Sequence, residues 1–309
     1  MLKLKNFTAA IIALSIAVSF SCIVLAGGDK GISEFRWAIL GGESQTDRLQ
    51  RTKCFVEKTK DLLGVPTKMF VPADYNGIIE AFLGGNLDAA WIGASGYAKI
   101  YLSDPEAVQP VLAVISKDGL FGYYAIGFAR KDSGIRSIGD LKGKTFAFGD
   151  PNSTSGYLIP SVEIPLMGYT MTPGDHFGDV VFSGGHEQTI VGVFNGDYDA
   201  GVTWSGGMGE WDDGYDYGAL RKAVDAGLVD MTEMREIWRS KVIPEGPIVI
   251  RKSLPEDVKI KIVGMVAGLS SLDKECAYGF FQGEVKGTKV VTHEDYEVLV
   301  AARKAKLGG

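Results

Sequence analysis

Three consecutive hydroxyl side chains, Ser153-Thr154-Ser155, are the residues of this sequence best suited to hold an anion. They follow a stretch at 144–148 that predicts a short strand, and they precede an apolar run that can begin a helix. The first N–H groups of a helix lack intrahelical partners and attract negative charge, and hydroxyls add neutral donors. The alternative is a simple N-cap, which needs only one such residue. The residues alone leave both interpretations open.

Other side chains are candidates for the same site. Tyr75 begins a predicted helix, Tyr123 begins a predicted strand and His186 stands at another predicted helix start. Their O–H and N–H groups can donate to an oxyanion. The competing interpretations are amphipathic tyrosines at a surface and a histidine that only caps its helix. Secondary candidates at or after predicted strand ends are Ser95, Trp204 and Glu210. Core packing is the commoner role for such a tryptophan.

Sequence patterns of familiar catalytic and metal sites are missing. The chain has no Gly-x-Ser-x-Gly elbow, no Walker A lysine and no Gly-x-Gly-x-x-Gly after a predicted strand. Its three histidines are scattered, and no cluster has zinc-ligand spacing. We therefore expect no metal, no other cofactor and no catalytic residues, which favours a binding protein over an enzyme.

Strand and helix patterns alternate along most of the chain, and a second cycle starts near Ile135. A single amphipathic helix is predicted over 45–63, and a charged helical region is predicted between the Gly-rich stretch 206–218 and about Met234. After a strand at 243–250, the rest of the chain is predicted to be helical, with one helix over 258–269 and another from 296 to about 306. This alternation predicts an α/β fold with a largely parallel sheet.

A short internal repeat suggests two similar lobes. Gly85 and Asp88 follow an apolar helix and precede a strand, and Gly196 and Asp199 do the same 111 residues later. The competing interpretation is a common helix-to-strand connection that recurs by chance. Two α/β lobes would enclose a cleft, and ligands bind in such clefts at the carboxyl ends of strands.

The bulk properties point to an exported globular protein. The 309 residues suffice for about two domains, and a net charge of −6 argues against nucleic acid as a partner. Lys3 and Lys5 precede a long apolar run, so residues 1–26 are predicted to be a signal peptide cleaved before Gly27. The alternatives are a retained anchor, as in a membrane-tethered sensor, and a lipoprotein linked through Cys22, whose preceding residues fit that signal poorly.

Two cysteines, Cys54 and Cys276, remain in the predicted mature chain. They could pair in an oxidising compartment, but nothing in the local sequence shows that they meet. Two buried free thiols are an equally good interpretation.

Eight residues, Asp150-Pro151-Asn152-Ser153-Thr154-Ser155-Gly156-Tyr157, resemble the signature of the phosphonate-binding periplasmic proteins of ABC transporters, the PhnD-like family. The similarity covers most of the mature chain, in order. The other segments that carry it are 74–81, 88–93, 122–123, 185–187, 243–244 and 247–252.

The resemblance implies a type II periplasmic binding protein fold, in which two α/β lobes joined by two crossing segments close on the ligand. Lobe 1 would comprise 27–125 and 248–309, and lobe 2 would comprise 126–247. The implied protein is a periplasmic monomer that delivers a small phosphorus oxyanion to membrane permease subunits. The ligand-binding residues carried over from the family are Tyr75, Tyr123, Ser153, Thr154, Ser155 and His186.

One departure from the family pattern bears on the ligand. Members that bind 2-aminoethylphosphonate present two carboxylates to its ammonium group, and Gly206 and Gly246 stand at those positions here. Glu210, Asp212 or Glu245 could substitute only if the loops shift. This departure therefore favours a ligand without an amine, such as methylphosphonate, phosphite or phosphate.

The alternative function is a secreted hydrolase of phosphate or phosphonate esters, with Ser153 or Thr154 as nucleophile.

Overall fold

The structure, a computed structural model, describes residues 31–40 and 45–307. The predicted signal peptide at 1–26 lies outside these residues. Within the two described ranges, no helix is long and apolar enough to cross a bilayer.

The described chain contains eleven strands and ten α-helices, together with short 3-10 and π turns. In chain order, the strands are β1 (Phe35–Ile39), β2 (Thr67–Phe70), β3 (Ala89–Trp91), β4 (Val108–Ser116), β5 (Tyr124–Arg130), β6 (Thr145–Phe148), β7 (Asp179–Phe182), β8 (Ala200–Ser205), β9 (Met234–Arg239), β10 (Pro247–Arg251) and β11 (Val285–Val290). The helices are α1 (Gln45–Arg51), α2 (Lys53–Leu63), α3 (Tyr75–Leu83), α4 (Ala94–Ser103), α5 (Pro160–Leu166), α6 (His186–Asn195), α7 (Ala219–Asp225), α8 (Glu256–Leu272), α9 (Lys274–Phe281) and α10 (Glu297–Leu307).

The strands form two separate sheets, each with helices packed against it. The first sheet has the order β11-β4-β10-β3-β1-β2, and the second has the order β7-β6-β8-β5-β9. We call the two sheets with their helices the first and second lobes. The chain crosses between them twice, at 117–123 and at 240–246. The crossing segments pair through an antiparallel bridge between Tyr123 and Ile243.

The prediction of a largely parallel sheet was wrong, because each sheet is mixed. Parallel pairing joins β3, β1 and β2 in the first lobe, and β7, β6 and β8 in the second. The remaining pairs are antiparallel. The crossings explain the mixture, since β5 and β10 each enter a sheet from the other lobe and run against their neighbours.

Apolar side chains cover both faces of the first sheet because neighbouring strand residues point to opposite sides. On β1, Trp37 packs with Phe55 and Phe280 on one face, whereas Ala38 packs with Tyr97 and other residues on the opposite face. All five residues are almost completely buried. The first lobe therefore has its own two-layered core, as does the second.

The internal repeat corresponds to matching structure in the two lobes. Gly85 and Gly196 both adopt left-handed φ values, 69° and 84°, at the turn after a helix. Asp88 and Asp199 each accept a hydrogen bond from a backbone N–H of the neighbouring strand, that of Arg36 (2.7 Å) and that of Thr145 (2.9 Å). In both lobes this aspartate ties the incoming strand to the central parallel strand.

Several predicted helices differ from the structure. The single helix predicted over 45–63 is divided into α1 and α2 at Thr52, whose hydroxyl donates to the Arg48 carbonyl (2.7 Å). Such local bonds compete with regular helix geometry. The helical region predicted to end near Met234 stops at Asp225, and β9 begins at Met234 because it pairs with β5.

The prediction of a helical C-terminal region missed α9 and β11. The sequence of β11, Val-Lys-Gly-Thr-Lys-Val, contains few apolar residues and gives a weak strand pattern. It forms a strand because it pairs with β4 at the edge of the first sheet. Long-range pairing thus overrides weak local preference.

Cys54 on α2 and Cys276 on α9 form a disulfide, with a Cα–Cα distance of 5.8 Å. The pairing question that the sequence left open is thereby answered in this structure. The bond links positions 222 residues apart and fastens two helices that cover the same face of the first sheet.

Removing this disulfide is expected to lower the free energy of unfolding by about 2–4 kcal/mol, because a cross-link across a long loop restricts the unfolded chain. The measurement is urea denaturation of the wild type and of a Cys54→Ala/Cys276→Ala variant, each with and without reductant. The reductant should shift the wild-type midpoint and leave that of the variant unchanged. A wild type insensitive to reductant would show that the bond contributes nothing.

Candidate functional site

A cavity of about 80 Å³ lies between the two lobes. It offers room for a few water molecules or one small anion. Residues from both lobes and from both crossing segments form its wall. All six predicted ligand-binding residues line it: Tyr75, Tyr123, Ser153, Thr154, Ser155 and His186.

The hydroxyl-rich turn after β6 begins a helical segment, as the sequence predicted. Ser153 is the N-cap, and its Oγ accepts a hydrogen bond from the Gly156 N–H (2.9 Å). The first turn has π geometry over Thr154–Leu158 and continues into α5. In the described part of the chain, the N–H groups of Thr154 and Ser155 make no hydrogen bond outside the turn. The cap interpretation and the anion-site interpretation are thus compatible.

His186, the first residue of α6, contacts the hydroxyl turn within the second lobe. Its Nε2 lies 3.4 Å from Ser153 Oγ, and its Nδ1 lies 3.1 Å from Thr203 Oγ1 on β8. The residue is buried, and Gly185 occupies the N-cap position of its helix. His186 therefore orients the Ser153 hydroxyl and does not serve as a cap. Thr203 was not predicted, and the sequence carried no local signal for it.

Tyr123 presents a neutral hydroxyl to the turn. Its hydroxyl lies beside the side chains of Ser155 and Thr154, and burial raises the pKa of this hydroxyl above the ordinary value, with Glu245 adding to the effect. Reciprocal backbone bonds to Ile243 (3.0 and 2.8 Å) fix its position in the first crossing segment. Tyr123 thus remains a donor throughout the ordinary pH range.

Tyr75 approaches from the first lobe as the first residue of α3, where the side chain of Asp74 caps the helix by accepting from the Gly77 N–H (2.9 Å). Its side chain is only 3 % exposed. Tyr75 is therefore not the surface tyrosine of the competing interpretation. The Tyr75 backbone N–H faces the Asp150 carboxylate, so the first lobe approaches the segment that leads into the hydroxyl turn.

Ser95 and Arg303 hold the first lobe against the same turn. The Ser95 N–H donates to Thr154 Oγ1 (2.9 Å). The Arg303 guanidinium, on α10, donates to the Pro151 carbonyl (2.6 Å) and to Asn152 Oδ1 (2.7 Å), with a longer bond to Ser95 Oγ. Ser95 therefore contacts the site through its backbone. Arg303 was missed, because nothing in the local sequence of α10 marks it.

The two other secondary candidates differ in their placement. Trp204 is half-buried, lines the cavity and packs edge-on against Tyr123, with ring centroids 5.8 Å apart. Trp204 therefore packs against the hydrophobic core of the second lobe and also forms part of the cavity wall. Glu210 is exposed on the loop after β8, where it occupies the N-cap position of a short 3-10 turn without a side-chain bond, and it does not line the cavity.

The structure explains why glycine stands at positions 206 and 246. A Cβ at Gly206 would lie 2.1 Å from the Tyr217 ring, and a Cβ at Gly246 would lie 2.3 Å from the Ile92 carbonyl oxygen. Neither position accommodates a carboxylate side chain in this arrangement. The acidic residue that does line the cavity is Glu245, which is 8 % exposed. Within 31–40 and 45–307, no group of three or more acidic, histidine or cysteine side chains could hold a metal ion.

Comparisons with known proteins are consistent with this geometry. Residues 38–296 match the family described as the periplasmic substrate-binding protein of ABC phosphonate transporters. The phosphonates-binding periplasmic protein of Escherichia coli is 31 % identical over 235 residues, which cover 73 % of this chain and 63 % of that protein. The phosphate-import protein PhnD of Mycolicibacterium smegmatis is 25 % identical, with 91 % and 92 % covered.

A solved structure shares the fold. PhnD1 of Prochlorococcus marinus, in complex with methylphosphonate, superposes with a TM-score of 0.74 and 19 % sequence identity. The superposition covers 89 % of this chain and 98 % of PhnD1.

Proposed function

Because the chain belongs to the family of periplasmic substrate-binding proteins of ABC phosphonate transporters, we propose that it captures a phosphonate or a related phosphorus oxyanion between its lobes and delivers it to the permease. The type II periplasmic binding protein fold is confirmed. We further propose that the mature protein acts in the periplasm as a monomer. The lobe boundaries drawn at 125/126 and 247/248 remain a prediction.

The convergence of neutral donors on one small cavity carries this proposal. Hydroxyls from Tyr123, Ser153, Thr154 and Ser155 surround the N–H groups of a helical first turn. A hydrogen bond to a charged group contributes about 1.5–3 kcal/mol, and such bonds are stronger away from water. Several of them together can hold an oxyanion without a cationic side chain.

The proposed ligand class follows from the residues at positions 206 and 246. Glycine at positions 206 and 246 leaves the chain without the carboxylate pair that the resemblance assigns to an ammonium group, and of these two positions only Gly246 lines the cavity. Small ligands without an amine therefore fit best, namely methylphosphonate, phosphite and phosphate. The names of the relatives include a phosphate-import protein and a protein solved with methylphosphonate.

Calorimetric titration of the purified mature chain with a panel of small oxyanions tests this proposal. The panel comprises methylphosphonate, phosphite, phosphate, 2-aminoethylphosphonate and sulfate. We expect tight binding of at least one of the first three and weaker binding of 2-aminoethylphosphonate. Tight binding of an unrelated solute, with no heat from any phosphorus oxyanion, would refute the proposal.

The hydrolase alternative draws support from one contact, the approach of His186 Nε2 to Ser153 Oγ at 3.4 Å. A nucleophile and base of this kind usually have a third group that orients the base. That position is taken here by the neutral hydroxyl of Thr203. Sustained release of phosphate from p-nitrophenyl phosphate would favour the enzyme, whereas the binding proposal expects none.

The Ser155→Ala substitution is expected to weaken methylphosphonate binding roughly tenfold, the equivalent of one hydrogen bond. Ser161→Ala is a matched control, because Ser161 is equally buried on α5 but donates to the Leu158 carbonyl (2.9 Å), away from the cavity. Calorimetry of both variants provides the comparison. Equal affinities of the Ser155 variant and the wild type would remove this hydroxyl from the binding site.

A further inference from the structure

Glu245 is a buried acidic residue on the cavity wall, in the second crossing segment. Its backbone is fixed on one side by the Tyr296 hydroxyl, which donates to the Glu245 carbonyl (2.9 Å). On the other side, Gly246 packs against the carbonyl of Ile92. The Glu245 carboxyl faces the Gly246 N–H. No ion pair to Glu245 exists within the described residues. The carboxyl is thus held in place without a cation to balance its charge.

The groups that face Glu245 do not favour a negative charge on its carboxyl group. Its electrostatic neighbours are the hydroxyls of Tyr123, Tyr217 and Tyr296 and the carboxylate of Asp118. The described cavity wall contains no lysine or arginine, and His186 is the side chain there that can carry a positive charge. Burial is the main reason that the pKa of Glu245 rises to about 8, with Asp118 contributing. At neutral pH the carboxyl is therefore largely protonated and can donate an O–H.

Glu245 lines the same cavity of about 80 Å³ as the hydroxyl turn at Ser153–Ser155. The Tyr123 hydroxyl lies between them, beside the Ser155 and Thr154 side chains and within electrostatic range of Glu245. An oxyanion at the hydroxyl turn would therefore approach the carboxyl. If that carboxyl were ionised, it would repel the dianion strongly at such a distance in a poorly solvated site.

We propose that Glu245 is a specificity-determining residue that shares one proton with the bound oxyanion. This inference rests on the proposed function. A dianion would accept a hydrogen bond from the neutral carboxyl, and a monoanion would donate its own P–O–H to the carboxylate. Both routes give the same complex, in which one proton lies between a Glu245 oxygen and a ligand oxygen. The site thus selects oxyanions that can share a proton.

The direction of the pH dependence follows from proton linkage. Below about pH 8 the free protein already carries the proton, so a dianion binds without further proton uptake. Above this pH the carboxyl is ionised in the free protein and must recover a proton on binding. The affinity for a dianion should then fall up to about tenfold for each pH unit.

The test is calorimetric titration of methylphosphonate into wild type and Glu245→Gln between about pH 8.5 and about pH 9.5, where this ligand is already dianionic. Buffers with different ionisation enthalpies give the number of protons taken up. We expect the wild-type affinity to fall several-fold to tenfold over this range, with uptake approaching one proton per ligand. The affinity of Glu245→Gln should change less than about twofold, because an amide donates without titrating.

Three results would overturn the inference. The first is a parallel pH dependence in both proteins, which would assign the effect to His186 or another group. The second is wild-type binding without proton uptake, a measurement that stands even if the variant does not fold. The third is a selective loss of 2-aminoethylphosphonate binding in Glu245→Gln, which would make Glu245 a partner for ammonium. Absence of binding to any phosphorus oxyanion would instead refute the proposed function itself, and the inference with it.

Discussion

An Arg303→Met substitution is expected to weaken ligand binding by roughly ten- to a hundredfold, although Arg303 does not line the cavity. The guanidinium extends from α10 of the first lobe to Pro151 and Asn152, which lead into the hydroxyl turn of the second lobe. It is 6 % exposed. These bonds can form only when the lobes are in contact, so their loss destabilises the closed arrangement selectively.

The magnitude follows from the energy of two charge-assisted bonds. Each contributes about 1.5–3 kcal/mol, but water replaces part of that energy when the lobes separate. A net loss of about 1.5–3 kcal/mol corresponds to the expected range, since each 1.4 kcal/mol changes an affinity tenfold. The apparent dissociation constant rises because a smaller fraction of the protein is competent to bind.

Calorimetry with methylphosphonate measures this effect, and small-angle X-ray scattering reports whether the lobes separate. Lys304→Met is the matched control, because it removes the same charge from the adjacent, exposed position of α10. The control should bind as the wild type does. An Arg303→Met protein with a dissociation constant within twofold of the wild type would show that the contact does not contribute to closure.

Asp88→Ala is expected to cause the largest loss of stability, about 3–5 kcal/mol in the free energy of unfolding. The Asp88 side chain is 1 % exposed and pairs with both Arg36 and Arg251. It also accepts the backbone N–H of Arg36 (2.7 Å). Removing one partner of a buried ion pair leaves charges and a backbone donor unsatisfied.

The second lobe supplies the control for this substitution. Asp199 occupies the equivalent position and accepts the Thr145 N–H, but its side chain is 35 % exposed and its ion pair with Lys144 is long, at 3.5 Å. Exposed ion pairs contribute little, so Asp199→Ala should cost about 1 kcal/mol. Urea denaturation of the two variants gives the comparison. Equal losses of unfolding free energy in the two variants would mean that the burial of Asp88 adds nothing to the stability that its backbone hydrogen bond provides.

The sequence predicted much of the fold and half of the residues that line the cavity. Hydroxyl residues between a strand and a helix start marked the turn at 153–155, and the structure places the cavity there. The family resemblance assigned ligand-binding roles to Tyr75, Tyr123 and His186. Each of them lies at the boundary of a helix or strand, where the local sequence has no decisive pattern. The repeated glycine and aspartate positions indicated two lobes, whose matching turns follow from the same local chemistry.

Local patterns failed where pairing between distant segments decides the structure. The end of the helical region before β9, and the edge strand β11, depend on strands far away in sequence. The mixed sheets arise from the two crossings, which no periodicity reveals. A hydrophobic pattern reports which face of a segment is buried, but it does not report the neighbour that covers that face.

By itself, the sequence determined that a helix start with three hydroxyls stands at 153–155, because such a turn needs only adjacent residues. Only the tertiary structure brought Arg303 to Asn152 and Cys54 to Cys276. It also showed that the acidic residue on the cavity wall is Glu245. Contacts between residues far apart in sequence depend on the packing of whole lobes, and such packing leaves no mark on the local sequence of either partner.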